Sequence, residues 1–225
     1  MIAGPWIELL NALTNNQPHL WYLVLPGLTL TLGIIYSIGG RLWAMIYVAL
    51  IPFLNWSFAI IPQFQIVAPN DLFDQGIALH PMTMVTGLVF VVRDFVQREM
   101  RHWVLLCMAF AIGWSFFYAW PVIALASGIA FAVSECVDWL LFTFTKYRLS
   151  TRILLSSAVA APIDTTIFLF GADLAFQLQQ GAEPGTMLHI ANWVVFIVGK
   201  MIGAIIVSRL IRAREEAGLI RPHET

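Results

Sequence analysis

The chain has 225 residues, of which 60% are apolar and only 11% charged, with a net charge of −1. A soluble domain is about half apolar and about a quarter charged, so the surplus here fills about six or seven membrane spans of about 20 residues each. A soluble enzyme, an extracellular disulfide scaffold, a disordered chain and a nucleic-acid binder are excluded, the last because no basic surplus is present to neutralise phosphates.

The first predicted element is Gly4–Leu13, whose Trp6, Ile7, Leu9, Leu10 and Leu13 point to a short helix along the membrane interface. No cleavable signal is expected, since the residues before Leu20 lack a basic n-region. Seven apolar segments of spanning length follow: Leu20–Ile38, Leu42–Ile61, Leu79–Val96, Trp103–Ala119, Pro121–Thr145, Ile153–Phe176 and Leu188–Ile211. Polar positions interrupt the third, and Trp120–Pro121 predicts a tight turn between the fourth and fifth. Cys107 and Cys136 lie within apolar runs and read as buried thiols. Trp6, Trp21, Trp56, Trp120 and Trp193 fall near predicted interfaces.

Basic residues sort onto one side. Arg41 lies between spans one and two, Arg93, Arg98 and Arg101 between three and four, and Lys146, Arg148 and Arg152 between five and six. Arg209, Arg212, Arg214 and Arg221 follow or close span seven, whereas the amino-terminus and Pro62–Ala78 carry no Lys or Arg. The positive-inside rule therefore predicts an amino-terminus outside and a carboxyl-terminus in the cytoplasm.

Four ionisable residues remain deep in the spans: Glu135 and Asp138 in the fifth, Asp164 in the sixth and Lys200 in the seventh. Each costs about 2.5–3.5 kcal/mol at a helix centre, so each needs a partner or a wet cavity. At 100° per residue, Ser127, Phe131, Ser134 and Asp138 form one stripe, with Glu135 at its edge. Ser157, Ala160, Asp164 and Phe168 share a face of the sixth span, where Pro162 frees a backbone carbonyl. Asn192, Phe196, Gly199 and Gly203 line the seventh beside Lys200, and the Gly199–Gly203 spacing admits another backbone.

Two readings of Lys200 stand. It pairs with one acid and holds helices together, or it belongs to a binding site in which three carboxylates face one ammonium. Carboxylates beside aromatic rings suit a flat ligand with several N–H donors in one plane. The serines equally serve for bonding to the preceding turn or for close packing. Arg93–Asp94, followed by Gln97, Arg98 and Glu99, reads on its own as a solvated cytoplasmic helix end. His80–Pro81 opens the third span. The His and Cys residues lack metal-ligand spacing, and no Walker sequence, dinucleotide fingerprint or Gly-x-Ser-x-Gly elbow is present, so neither metal nor cofactor is expected.

Three ordered stretches resemble the VUT family, the vitamin-uptake-like group that contains the queuosine precursor transporters. They are Gly87–Gln97 with its Val-Val-Arg93-Asp94 core, Ala126–Asp138 with Ser127, Phe131, Ser134 and Glu135, and Ser156–Phe168 with Ser157, Asp164 and Thr165. The resemblance covers about residues 46 to 211, and Asn55–Trp56 is similar to a pair in the family's first helix. It implies an all-α six-helix membrane bundle like the substrate-binding subunits of energy-coupling-factor transporters. Here that bundle is preceded by one extra transmembrane helix, giving seven spans. Residues 1–41 would be the amino-terminal addition, 42–212 the core and 213–225 a cytoplasmic tail. The implied cargo is 7-cyano- or 7-aminomethyl-7-deazaguanine, with Arg93, Asp94, Gln97, Ser127, Ser134, Glu135, Asp138, Asp164 and Lys200 as site residues. Ser157 stands where relatives commonly have Asn.

The expectation is thus a multi-pass carrier of the bacterial inner membrane. Glu135, Asp138 and Asp164 would accept ligand N–H groups, with Phe131, Phe168 or Trp139 stacking on the ring. Ser127, Ser134, Ser157 and Asn192 complete the binding set, and Arg93, Asp94 and Gln97 would gate or couple. A substrate-capture subunit working with energy-coupling partners is the first alternative, and an intramembrane enzyme using the acids is the second.

Overall fold

With no water in the bilayer core, a spanning segment must satisfy its own backbone N–H and C=O groups, and long apolar runs therefore fold as helices. In the computed structural model the chain is 81% helical. The structure describes residues 3–58, 61–62, 64–70, 76–118, 121–181, 183–185 and 187–219. Its helices are α1 (Ala3–Leu13), α2 (Trp21–Ser37), α3 (Leu42–Phe58), α4 (Met82–Met100), α5 (Val104–Tyr118), α6 (Pro121–Phe144), α7 (Leu149–Gln180) and α8 (Ile190–Glu216). Among the described residues, five helical runs are long and apolar enough to cross a membrane, with α4 and α5 forming one run across the turn at Arg101–Trp103, and Leu42–Leu54 is a shorter apolar helix. Large apolar side chains face outward along them, among them Ile129 and Val133 on α6, Phe170 on α7 and Val198 and Ile206 on α8. In water such surface would be untenable; this is a multi-pass membrane protein.

The contacts close a ring. Helix α3 packs on α4, α4 on α8, α8 on α7, α7 on α6, α6 on α5, and α5 returns to α3. Helix α2 lies outside the ring, tied to α5 by the Trp114 indole donating to Thr31 Oγ1 (3.1 Å). At one end the Arg41 backbone N–H donates to Glu99, and Ser150 Oγ donates to Glu215 (2.6 Å). At the other end Asn15 Nδ2 donates to the Phe117 carbonyl (2.9 Å) and the Tyr118 hydroxyl to the Leu13 carbonyl (2.6 Å). Here too, Asp173 accepts the backbone N–H groups of Gly185 (3.0 Å) and Met187 (2.8 Å), which pins the α7–α8 connection.

Several elements differ from the sequence expectation. Within Pro62–Ala78, read as a plain connection, Phe64–Val67 (β1) pairs antiparallel with Ile77–Leu79 (β2), Phe64 opposite Leu79. Leu79 therefore belongs to a hairpin, and α4 begins only after Pro81 and runs on to Met100. This shift of about one turn carries Arg93 and Asp94 into the helix body, so they are not a solvated helix end. Cys107 is buried as expected, but Cys136 is exposed on the outer face, one residue and 100° round from Glu135. Pro162 does lie inside α7. The Trp120 part of the predicted turn, Asp71–Gln75 and the tail beyond Leu219 lie outside the described residues.

Helices α4 and α8 cross closely because both present glycine. A Cβ on Gly87 would collide with the Lys200 backbone carbonyl, and a Cβ on Gly199 would meet Thr83 Oγ1 at 2.5 Å. Gly87→Ala is expected to destabilise the protein by about 1–3 kcal/mol through overpacking against main chain, lowering its melting temperature in detergent. Gly33→Ala on α2, with nothing within 4 Å of the added carbon, should leave that temperature unchanged or slightly raised.

Candidate functional site

The ring encloses a cavity of about 690 Å³ to which all six of its helices contribute. Ile51 and Leu54 come from α3, Thr83, Thr86 and Phe90 from α4, and Phe116 and Phe117 from α5. Ser127 and Phe131 of α6, Asp164 and Phe168 of α7, and Phe196 and Lys200 of α8 complete the wall. Asn15, Gln17, Tyr118 and Met187 form the rim at the end that carries no Lys or Arg. Phe168 and Phe196 stack at 6.4 Å between centroids with planes 28° apart, presenting a flat aromatic wall. A second, open groove of about 720 Å³ is lined by α2 residues alone, including Trp21, Leu25 and Leu30, and offers no ionisable group.

Among the described residues, the cavity has one ion pair in its wall. Lys200 Nζ pairs with Asp164 and donates to Thr165 Oγ1 at 2.8 Å. Ser134 Oγ donates to the Phe131 carbonyl (3.1 Å) and lies 3.3 Å from Asp164 Oδ1. Thus Asp164 is held by a cation and approached by a hydroxyl while still bordering the open space.

Beyond the cavity wall lies a second ionic group, centred on Arg93. The guanidinium contacts Asp94 (3.1 Å), Glu135 (3.3 Å) and Asp138, and Arg93 is 1% exposed. Tyr47 on α3 donates its hydroxyl to Glu135 Oε2 (2.7 Å). Arg93 Nη1 also donates to Gln97 Oε1 (2.5 Å), and Gln97 Nε2 donates to Thr143 Oγ1 (2.7 Å) in the last turn of α6. Arg is suited to this position because its rigid fork addresses several oxygens at once.

The expected site therefore divides in two. Asp164, Lys200, Ser127, Phe131 and Phe168 border the cavity; Glu135, Asp138, Arg93, Asp94 and Gln97 form the buried network beside it, and Ser134 stands between. The charge inventory needs correction. Arg93 and Asp94 join the four ionisable residues expected in the spans, and Arg152, Asp173 and Glu215 are buried as well. Three carboxylates do not face Lys200 alone: it holds Asp164, and Arg93 serves the others. Ser157 is buried, with no hydrogen-bond partner for its Oγ among the described residues, and does not border the cavity. Asn192 lies at the start of α8, where its amide donates to the Met187 carbonyl (2.9 Å). Trp139 sits edge-on to His102 at 5.6 Å, away from the cavity.

Sequence reasoning missed Tyr47, Thr83, Thr86, Thr165 and Asp173, and it placed Phe196 on the correct face without assigning it to the site. A tyrosine or threonine in an apolar run gives no local signal. Asp173 was legible, since it stands inside the predicted sixth span. Fold and site define a multi-pass membrane protein with an enclosed polar-aromatic cavity. No family model, curated protein or solved structure matches the chain.

Removing the central cation tests the network. Arg93→Met is expected to destabilise the fold by about 3–5 kcal/mol, because buried carboxylates lose their partner. The readout is melting temperature and monodispersity in detergent, and adding Asp138→Asn to Arg93→Met should restore part of the loss.

Proposed function

We propose that the chain is a carrier of the bacterial inner membrane that imports a small planar purine-like solute. The solute class that fits the reading best is a queuosine precursor, 7-cyano- or 7-aminomethyl-7-deazaguanine. The observation that carries the reading is the 690 Å³ cavity with Asp164–Lys200 in its wall beside the stacked Phe168–Phe196 pair. Its volume lies in the range of small-molecule sites, about 300–1,000 Å³. In the proposed complex the Asp164 carboxylate accepts ring and exocyclic N–H groups, and Phe131, Phe168 or Phe196 stacks on the ring. Lys200 pairs with Asp164 and re-pairs with it fully when the site is empty. Glu135 and Asp138 act through the network beside the cavity wall.

The proposed topology is seven spans, α2 to α8, with the amino-terminus outside. Supporting it, Arg41, Arg101, Lys146, Arg148, Arg212 and Arg214 gather at the Glu99–Glu215 end, and the opposite connections carry no Lys or Arg. The sequence holds no P-loop with which to hydrolyse ATP. The protein then works as a secondary carrier, or borrows energy from coupling subunits.

The test is uptake in cells unable to make queuosine precursors, supplied with either deazaguanine. Wild-type protein should restore queuosine in tRNA, while Asp164→Asn should lower uptake at least about tenfold, the loss of one charge-assisted contact of about 1.5–3 kcal/mol. Failure of both compounds to enter through well-expressed wild-type protein rejects the substrate assignment. Uptake by the purified chain alone in vesicles rejects a requirement for coupling subunits.

A further inference from the structure

The Arg93 network contains more than solute binding requires. None of Arg93, Asp94, Glu135 and Asp138 borders the cavity, and all four are at most 1% exposed. Their charges do not balance. Three carboxylates share Arg93, and a further buried cation is Arg152 on α7, whose guanidinium lies 3.8 Å over the Phe142 ring that Arg93 also faces at 5.9 Å. With both cations counted, three acids against two bases leave one carboxylate in excess, while Asp164 and Lys200 balance each other. An uncompensated charge at this depth is so unfavourable that the group takes up a proton instead.

Glu135 is the group best placed to do so. Asp138 is the acid closest to the guanidinium and Asp94 meets Nη1 at 3.1 Å, whereas Glu135 has the longest Arg93 contact, 3.3 Å to Nε. One of its oxygens accepts from the neutral Tyr47 hydroxyl, while Oε1, like both carboxylate oxygens of Asp94 and Asp138, is buried with no hydrogen-bond partner among the described residues. It also stands next in α6 to Ser134, whose Oγ lies 3.3 Å from Asp164 in the cavity wall, and it contacts Arg93, from which hydrogen bonds run to Gln97 and on to Thr143.

We propose that Glu135 binds the coupling proton, one for each solute carried. The inference rests on the carrier reading and names its energy source. The step is a plain protonation: a proton from water on the outer side bonds to a Glu135 carboxylate oxygen to give the neutral acid, and a proton is released from it to water on the cytoplasmic side, with no change of oxidation state. The groups facing the network are Tyr47 from α3, Arg93, Asp94 and Gln97 from α4, Cys107 from α5 beside Tyr47, and Ser134, Asp138 and Thr143 from α6. Arg152 and Asp164 face it from α7, with Lys200 from α8 behind Asp164. Asp164 lies 3.3 Å from Ser134, the residue before Glu135, and two carboxylates this near in a low-dielectric interior repel one another. A solute N–H placed on Asp164 therefore alters how firmly Glu135 holds its proton. By linkage, protonation alters solute affinity by the same factor.

The experiment uses the full chain in proteoliposomes with the membrane potential clamped, and labelled 7-cyano-7-deazaguanine as a neutral probe, so that a pH gradient acts through protons alone. An outside-acid gradient of one unit is expected to drive accumulation up to about tenfold, the factor equivalent to one proton per solute, and a protonophore should abolish it. In Glu135→Gln, whatever uptake remains should ignore the gradient, and probe addition should move no protons past a pH dye. Should that variant not fold, Tyr47→Phe keeps the carboxylate but removes its donor, and should move the pH of half-maximal uptake by about half a unit or more. A half-maximal pH left unmoved counts against Glu135. Wild-type uptake that is equal with and without the gradient overturns the proton proposal and leaves the carrier standing. No uptake of either deazaguanine under any gradient overturns both.

Discussion

One guanidinium shared among three carboxylates, inside helices that present Leu, Ile, Val and Phe outward, is the constraint on which the rest of this molecule depends. Arg93 joins α4 to α6 through Glu135 and Asp138, and Tyr47 brings in α3 through the same glutamate. None of these groups can turn to water, so each fixes the rotation and depth of its helix. The Lys200–Asp164 pair does the same for α7 and α8. Replacing such pairs by apolar residues often leaves a protein as stable or more so, which makes stability alone a poor reason for four buried acids.

The geometry of the ring follows from this and from small residues. Where α4 meets α8, Gly87 and Gly199 let main chain touch main chain or threonine, and without that approach Lys200 would sit too far from the centre of the bundle. Much of the cavity wall is aromatic, with Phe116, Phe117, Phe131, Phe168 and Phe196. At its rim the amino-terminal elbow, with Asn15 and Asn16 in left-handed conformation, is clamped to the end of α5 by Asn15 and Tyr118. Asp173 holds the neighbouring α7–α8 connection by its backbone.

Much of this was legible in the sequence because helices in lipid obey a simple period. The apolar runs located the helices, and 100° spacing placed Phe131, Asp164, Phe168 and Lys200 around one space. Arg93 was misread from its residues alone because a charge near the end of an apolar run looks like a helix terminus. Only the start of α4 beyond Pro81, enforced by the Leu79–Phe64 pairing, moves Arg93 into the bundle. Asn192 failed as a cavity residue for the opposite reason: it lies at the first turn of α8, where its amide meets the Met187 carbonyl. Tyr47 and the α4 threonines were hidden because only tertiary packing tells a lipid-facing hydroxyl from a buried one.

The central claim is that the cavity between Asp164–Lys200 and the Phe168–Phe196 wall receives a flat, N–H-rich solute. Its most direct measure is the melting temperature of the purified protein in detergent, titrated with 7-cyano-7-deazaguanine and, as a control, with a sugar of similar mass. Binding to the folded state alone stabilises by about 2.7 kcal/mol at a hundredfold excess over Kd. The account predicts a saturable rise in melting temperature with the deazaguanine only, lost in Phe168→Ala and in Asp164→Asn. The same curve with and without the compound, or a rise that survives both substitutions, would contradict it.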